Sequence, residues 1–259
     1  MRIVTLGDLL LDVVVRLDTE LVHGDDQPAR TSTGPGGQAA NVAAWAAALG
    51  ADASFVGRIG ADTAGELVLR GLARLGVGHR GPVAGRTGVV VSIAASADRT
   101  MASDRGTAPE LAADDLEPAW FDCDVLHVSG YALLCEPIAG AAAAAAGHAR
   151  VHGATVTLDV SAWTLVDDAF RARAAALAPE AVFATEREQE ALGALDTLWV
   201  LKRGARGLRV DGADYPAAEV EVVDATGAGD ALAAGFLVGG PELGVATAAR
   251  CCAQVGAMP

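Results

Sequence analysis

The chain has 259 residues, of which 52% are hydrophobic, with 33 acidic residues against 19 basic ones and a net charge of −14. That length and apolar content can bury a large core as a single α/β unit, and the acidity excludes a binder of nucleic-acid backbones, which needs a basic surface. Lys202 is the only lysine, so there is no polybasic tract either.

In chain order, residues 3–6, 53–56, 125–128, 155–158, 181–183 and 197–201 read as short β-runs. They alternate with helical patterns near 37–49, 62–75, 139–152, 167–178 and 186–193. This alternation predicts a mainly parallel sheet with helices on both faces. Two strand-like pairs interrupt it, 12–17 with 28–33 and 87–95 with 99–103. No repeat, linker or low-complexity tail divides the chain, so 1–259 is predicted as one domain. The apolar start is broken by Asp8 and Asp12 and reads as a strand rather than a signal peptide. The alanine-rich run at 139–147 is too short to cross a bilayer. Cys123, Cys135, Cys251 and Cys252 show neither metal-ligand nor disulfide-framework spacing, which fits a reducing cytoplasm.

The first motif is Gly34-Pro35-Gly36-Gly37-Gln38-Ala39-Ala40-Asn41, running into an alanine-rich helix that stops at Leu49-Gly50. Paired glycines allow a hinge and close backbone approach to a ligand. Asn41, on the first helical turn, can donate and accept, which suits a polyhydroxy substrate; a local capping role is the alternative. The second motif is Asp224-Ala225-Thr226-Gly227-Ala228-Gly229-Asp230 before another small-residue helix. Small residues at 227–229 let several N–H groups converge where a helix dipole favours negative charge. Asp230 at the lip would take a proton from an attacking hydroxyl, the chemistry of phosphoryl transfer to an alcohol. An ordinary capped helix has the same residues. No Walker-type phosphate loop occurs, and Gly7-Asp8-Leu9-Leu10-Leu11-Asp12 after the first strand fits dinucleotide binding poorly.

Together these motifs, with Phe55-Val56-Gly57-Arg58-Ile59-Gly60-Ala61-Asp62 between them, resemble the signatures of the ribokinase-like, PfkB-type carbohydrate kinases. The resemblance implies a three-layer α/β/α sandwich with a mainly parallel central sheet and a small β-sheet lid, built from segments about 12–34 and 87–104. It implies ATP-dependent phosphorylation of a hydroxyl, with Asp230 as general base and Gly227, Ala228 and Gly229 as the backbone anion hole. Asp12, Gly36, Gly37, Gln38 and Asn41 then bind substrate. Thr185, Lys202, Gly204, Gly207 and Thr226 bind nucleotide, although Lys202 to Gly207 also reads as a plain glycine-rich hairpin. Glu188 would organise the water shell of Mg²⁺; Thr185 stands where the family usually has Asn. Asp224 and the Thr226 backbone match part of a monovalent-cation (K⁺) site, and the tail 256–259 resembles the start of its other segment. Arg105, after the second lid pair, is expected to reach the phosphates or to lie exposed. The lid would serve a monomer or pair two subunits as a homodimer; neither nucleic acid nor membrane is an expected partner.

At the places where ribokinases proper contact ribose, this chain has Leu10, Tyr131 and, in place of lysine, Gln38. Neutral Gln38 cannot pair with a substrate phosphate as lysine can, so the expected substrate is an unphosphorylated sugar, sugar acid or polyol. A nucleoside kinase is the alternative, with Trp45, Trp163 or Tyr131 as a platform for a base. A non-catalytic sugar or nucleotide sensor is a third.

Overall fold

A computed structural model of the chain describes residues 1–95 and 98–259. In chain order its elements are β1 (Arg2–Leu6), β2 (Leu10–Leu17), β3 (Arg30–Gly36), α1 (Gln38–Ala48), β4 (Asp52–Val56), α2 (Thr63–Arg74), β5 (Gly78–Arg80), β6 (Thr87–Ala95) and β7 (Asp98–Gly106). There follow β8 (Val125–Ser129), α3 (Ile138–Val151), β9 (Thr155–Asp159), α4 (Asp168–Leu177), β10 (Ala181–Ala184), α5 (Glu186–Leu192), β11 (Leu198–Lys202), β12 (Leu208–Val210), β13 (Ala213–Tyr215), α6 (Ala228–Gly239) and α7 (Pro241–Cys252).

Among the described residues, nine strands form one sheet in the order β13-β12-β11-β10-β9-β8-β1-β4-β5, parallel except where β12 and β13 join antiparallel at one edge. Its strands are apolar on both faces, as a sheet covered by helices on both sides must be. Ile3, Phe55, Phe183 and Val200 point into one core, with residues of α1, α2, α6 and α7. Val4, Val56, Leu126, Val182 and Ala184 point into the other, under α3, α4 and α5. The expected three layers are therefore present, and each predicted strand and helix of the α/β core lies within about two residues of its observed bounds. The short strands β5, β12 and β13 and the helix α7 are additions, too brief or too alanine-rich to show a period in sequence.

The two interrupting pairs form a separate sheet, β3-β2-β6-β7, in which β2 and β6 run parallel and the outer strands pair antiparallel. The observed strands reach from Leu10 to Gly36 and from Thr87 to Gly106, slightly beyond the predicted segments; residues 96 and 97 of the second segment lie outside the described residues. The register sets Asp12 beside Val90, Val14 beside Ser92 and Arg16 beside Ala94. Parallel partners point the same way, so Asp12, Val14, Arg16, Ser92 and Ala94 share one face of the small sheet. No helix among the described residues is long and apolar enough to cross a membrane.

Candidate active site

The chain winds outward from β1 in two directions, to β4 and β5 on one side and through β8, β9, β10 and β11 on the other. Ligands of such sheets bind beyond the carboxyl ends of the strands where the winding reverses, here between β1 and β8. Gly7 follows β1 and Ser129 ends β8, and a Cβ on Gly7 would sit 2.8 Å from that of Ser129. Only glycine lets the ends of β1 and β8 and Ala39 of α1 close together there.

Asp230 lies on the first turn of α6, which opens on Gly227 in the left-handed conformation (φ 76°). A side chain at 227 would press on the Ala257 backbone. Among the described residues the N–H groups of Gly229 and Asp230 donate no hydrogen bond, so they remain available as donors at the positive end of the helix. Asn41, on α1 and 189 positions away in sequence, donates from Nδ2 to Asp230 Oδ2 at 2.7 Å. It is therefore not a local cap, and its buried Oδ1 has no partner. Burial pushes the Asp230 carboxyl up to about 7; Asp159 and Asp12 add to the shift, while the Asn41 hydrogen bond and Lys202 oppose it. A carboxylate poised near neutrality is matched to accepting a proton.

Lys202 ends β11 and donates to both oxygens of the fully buried Asp159, at 2.7 and 2.8 Å. Burial alone would lower its proton affinity, but Asp159, with Glu188 and Asp230 behind it, holds the ammonium above its ordinary value. Asp159 Oδ1 also accepts from Ser161 N–H at 3.1 Å. Ser161 sits at φ 77°, a conformation costly for a non-glycine residue that surrounding contacts must hold. Its hydroxyl donates to Gln38 Oε1 at 2.6 Å, and so does that of Ser129. A hydrogen-bonded chain thus runs from Lys202 through Asp159 and Ser161 to Gln38. Beneath it His127 is buried and neutral, its proton affinity lowered by burial to about 4.

On the side of the small sheet, Gly36 leaves the space that the Asp12 carboxylate fills, and Gly37 (φ 104°) lets the chain pass against the Asp8 carbonyl. Arg105 is neither exposed nor directed at a free anion site. It is mostly buried and grips Asp8 from Nε (2.6 Å) and from its second terminal nitrogen (2.9 Å), which corrects both sequence expectations. A neutralised pair is what a buried guanidinium requires. Tyr131 is half-buried near Asp230, Asp8, Asp159 and Arg105, and burial foremost raises its phenol. A cavity of about 260 Å³ is lined by Asp12, Arg16, Ser92, Asp224, Thr226 and Gly256, among others. Asp224 accepts from Thr226 N and Oγ1, from Gly256 N, and from Arg16 at 3.4 Å.

A second cavity, of about 490 Å³, opens on the other side of the 224–229 loop. Lys202, Gly204, Gly207 and Gly229 line its polar end; Ala217, Val220, Val222, Leu232, Val245 and Ala249 form an apolar wall. The Lys202 to Gly207 stretch joins β11 to β12 as a hairpin turn and also lines the polar end of this cavity. Thr226 faces the smaller cavity instead. Thr185 N-caps α5 in a reciprocal capping box: its hydroxyl accepts from Glu188 N–H, and Glu188 Oε2 accepts from Thr185 N–H at 2.6 Å. Glu188 is buried, with Oε2 committed to the cap and its charge felt at Lys202. Trp45 is not a base platform: it is core, 1% exposed, with its indole N–H donating to Ala257 O. Trp163 lies half exposed on a turn beside α5.

Sequence reasoning missed Asp8, Ser129, Asp159 and Ser161, and the apolar wall of the larger cavity. Asp159 had a usable signal, since it closes a β-run on the end of the sheet where ligands collect. The wall had none, because Leu232, Val245 and Ala249 on their helices read only as core, and Ala217, Val220 and Val222 lie in an irregular segment with no period to read.

A doubly wound α/β fold, with cavities on both sides of the loop that leads into an open helix N-terminus, has the layout of a small-molecule kinase. The chain belongs to the PfkB family of carbohydrate kinases: the model described as pfkB family carbohydrate kinase matches residues 2–258. It is an ATP-dependent sugar kinase. It is 31% identical to an ATP-dependent ribose-1-phosphate kinase of Halopiger xanaduensis, over 91% of this chain and 83% of that protein. It is also 31% identical to a fructokinase of Klebsiella pneumoniae, over 92% and 84% respectively. Among solved structures, adenosine kinase from Sinorhizobium meliloti superposes with a TM-score of 0.86 at 26% identity, covering 99% of this chain and 95% of that one. A sugar kinase from Pyrococcus horikoshii in complex with ATP shares the fold, with a TM-score of 0.84 at 23% identity over 99% and 95%.

Proposed function

We infer that the chain transfers the γ-phosphoryl group of ATP to a hydroxyl of a small unphosphorylated sugar, sugar acid or polyol. The observation that carries this reading is Asp230, poised near neutrality on the first turn of α6, just after the loop that divides the two cavities. In the larger cavity the apolar wall suits a purine, and the Lys202 and Gly229 end suits the phosphates. Asp230 accepts the hydroxyl proton while the N–H groups of Gly229 and Asp230 meet the charge developing on the transferred group. Asp12, Gln38 and Asn41 offer both acceptors and donors to substrate hydroxyls. Arg105 is already paired with Asp8 and Arg16 with Asp224, which supports a substrate without a phosphate.

Mg²⁺ arrives with ATP and keeps most of its waters. Glu188 is the carboxylate that would meet this shell, through Oε1, since Oε2 serves the α5 cap. Potassium fits poorly: Asp224 already carries three hydrogen bonds and the Arg16 guanidinium. Equal rates in sodium, potassium and choline salts are expected.

The test is ADP release from Mg·ATP across pentoses, hexoses, ketoses, sugar acids, polyols, nucleosides and sugar phosphates, with Asp230→Asn in parallel. Turnover of an unphosphorylated member that the variant loses supports the reading. Turnover confined to ribose 1-phosphate or to nucleosides overturns the substrate class. With the active member, kcat/KM should rise about tenfold per pH unit at low pH and level off above about pH 7, because Asp230 must be ionised to accept the proton.

A further inference from the structure

Asn41 stands on the first turn of α1, where its backbone N–H already donates to Gly37 O at 2.9 Å in the regular helical pattern. Its side chain is therefore not needed to close that turn, and it crosses to α6 instead. Both helices carry buried alanines in one core, Ala40 and Ala43 on α1 and Ala231 and Ala234 on α6, and side chains this small let two helices approach closely. Asn41 Nδ2 then donates to Asp230 Oδ2 at 2.7 Å, and among the described residues this is the one hydrogen bond that the Asp230 side chain receives. Only the amino end of the Asn41 amide can meet an ionised carboxylate, so the charge it faces fixes its orientation. The cost falls on the other end: Asn41 is buried and its Oδ1 has no partner. An unsatisfied buried acceptor disfavours folding, and an alanine, like the neighbouring Ala39 and Ala40, would avoid it. A polar group kept at such a cost, on the proton acceptor itself, points to a role beyond packing.

We propose that Asn41 is a positioning residue for phosphoryl transfer: by holding Oδ2 of Asp230 it fixes the plane of the carboxylate and leaves Oδ1 as the oxygen that takes the substrate proton. The inference rests on the reading of Asp230 as proton acceptor and adds which oxygen acts and what holds it. The terminal torsion of an aspartate is soft, so a carboxylate held at neither oxygen swings, and misplacement by an ångström costs about 10²-fold in rate. A carboxylate that accepts a hydrogen bond is also favoured in its charged form, so the same contact opposes the burial that would keep Asp230 protonated. The other titratable groups that face Asp230 are Asp12 from β2, Tyr131 after β8, Asp159 at the end of β9, Lys202 at the end of β11 and the Cys251 thiol of α7.

The test uses two variants of the full-length chain: Asn41→Leu, which keeps the bulk and loses the donor, and Asn41→Asp, which keeps the shape and replaces the donor by a second carboxylate. The ¹³C carboxyl resonance of Asp230, assigned by its absence in Asp230→Asn, is titrated without substrate, and steady-state rates are measured with the unphosphorylated acceptor that the panel above identifies. In Asn41→Leu the midpoint, about 7 in the wild type, should rise by about one pH unit. Its kcat on the high-pH plateau should fall about 10²-fold, with the KM for acceptor and for ATP nearly unchanged. In Asn41→Asp the two carboxylates titrate as a coupled pair, whose upper step should lie at least as high as the midpoint of Asn41→Leu. Should Asn41→Leu fail to fold, the isosteric Asn41→Asp still decides. A midpoint that stays at the wild-type value in the folded variants overturns the proposal and leaves Asn41 a packing residue. A raised acceptor KM, with plateau kcat and midpoint unchanged, overturns it as well and makes Asn41 a substrate contact. Failure of the kinase reading shows separately, as absence of turnover across the acceptor panel with the titration shift intact.

Discussion

Every residue of β8 and β10, in the large sheet, is buried, whereas in β2 of the small sheet only Leu10 is. The large sheet is clamped between two apolar cores; the small one has a face turned to a cavity and its outer strands open to water. Rigidity and function are therefore divided. The large sheet fixes the strand ends that carry Ser129, Asp159 and Lys202, and the small sheet brings Asp12 and Arg16 toward them on a thinner support.

This division can be sharpened at the junction itself. Asp230→Asn should lower kcat by about 10²–10⁴-fold, the usual worth of a general base, as read by steady-state ADP release. The same variant should gain stability at neutral pH. The folded carboxyl holds its proton up to about pH 7 and an ordinary one only to 3.8, so the folded state binds more protons between these values and stability falls as pH rises through them. Removing the charge abolishes that decline, and chemical denaturation at pH 8 should show a gain of about 1–3 kcal/mol.

Breaking the large sheet should do the reverse. Phe183 is fully buried and packs edge-on to His127 and Phe236, with ring centroids 5.5 and 5.4 Å away. Phe183→Ala should cost about 3–5 kcal/mol in urea unfolding through the cavity it leaves. Gly36→Ala, in the small sheet, places a methyl on the Asp12 carboxylate. Acceptor kcat/KM should drop about tenfold, roughly 1.4 kcal/mol in transition-state terms, with the KM for ATP and the unfolding midpoint nearly unchanged. A large loss of stability there would dissolve the contrast between the sheets. The smallest effect belongs to Thr185→Ala, which removes one side of the α5 capping box and should cost about 1 kcal/mol. If it also raised the KM for ATP, Thr185 would be a nucleotide contact as well as a cap.

Much of this molecule was legible in its residues. Alternating apolar runs and helical periods reported the layers, because burial on both faces imposes continuous β-runs and an amphipathic or alanine-rich helix reads at 3.6 residues per turn. The Gly36-Gly37 and Gly227 to Asp230 segments were legible for a local reason: a backbone that must turn tightly or approach a neighbour closely demands small residues wherever the chain folds. Long-range pairing was not. Asn41 reads as a substrate contact or a local cap, and only α1 lying beside α6 sets it on Asp230; Arg105 reads as reaching the phosphates or exposed, and only β7 carries it onto Asp8; Trp45 reads as a base platform or core, and only the fold closes the Ala257 carbonyl over its N–H. The sequence by itself determined the layers, the two glycine-rich turns and the presence of an aspartate at a helix start. Only the tertiary structure decided that carboxylate's surroundings, because desolvation and the opposed charges of Lys202 and Asp159 depend on distances between segments, and no local pattern encodes them.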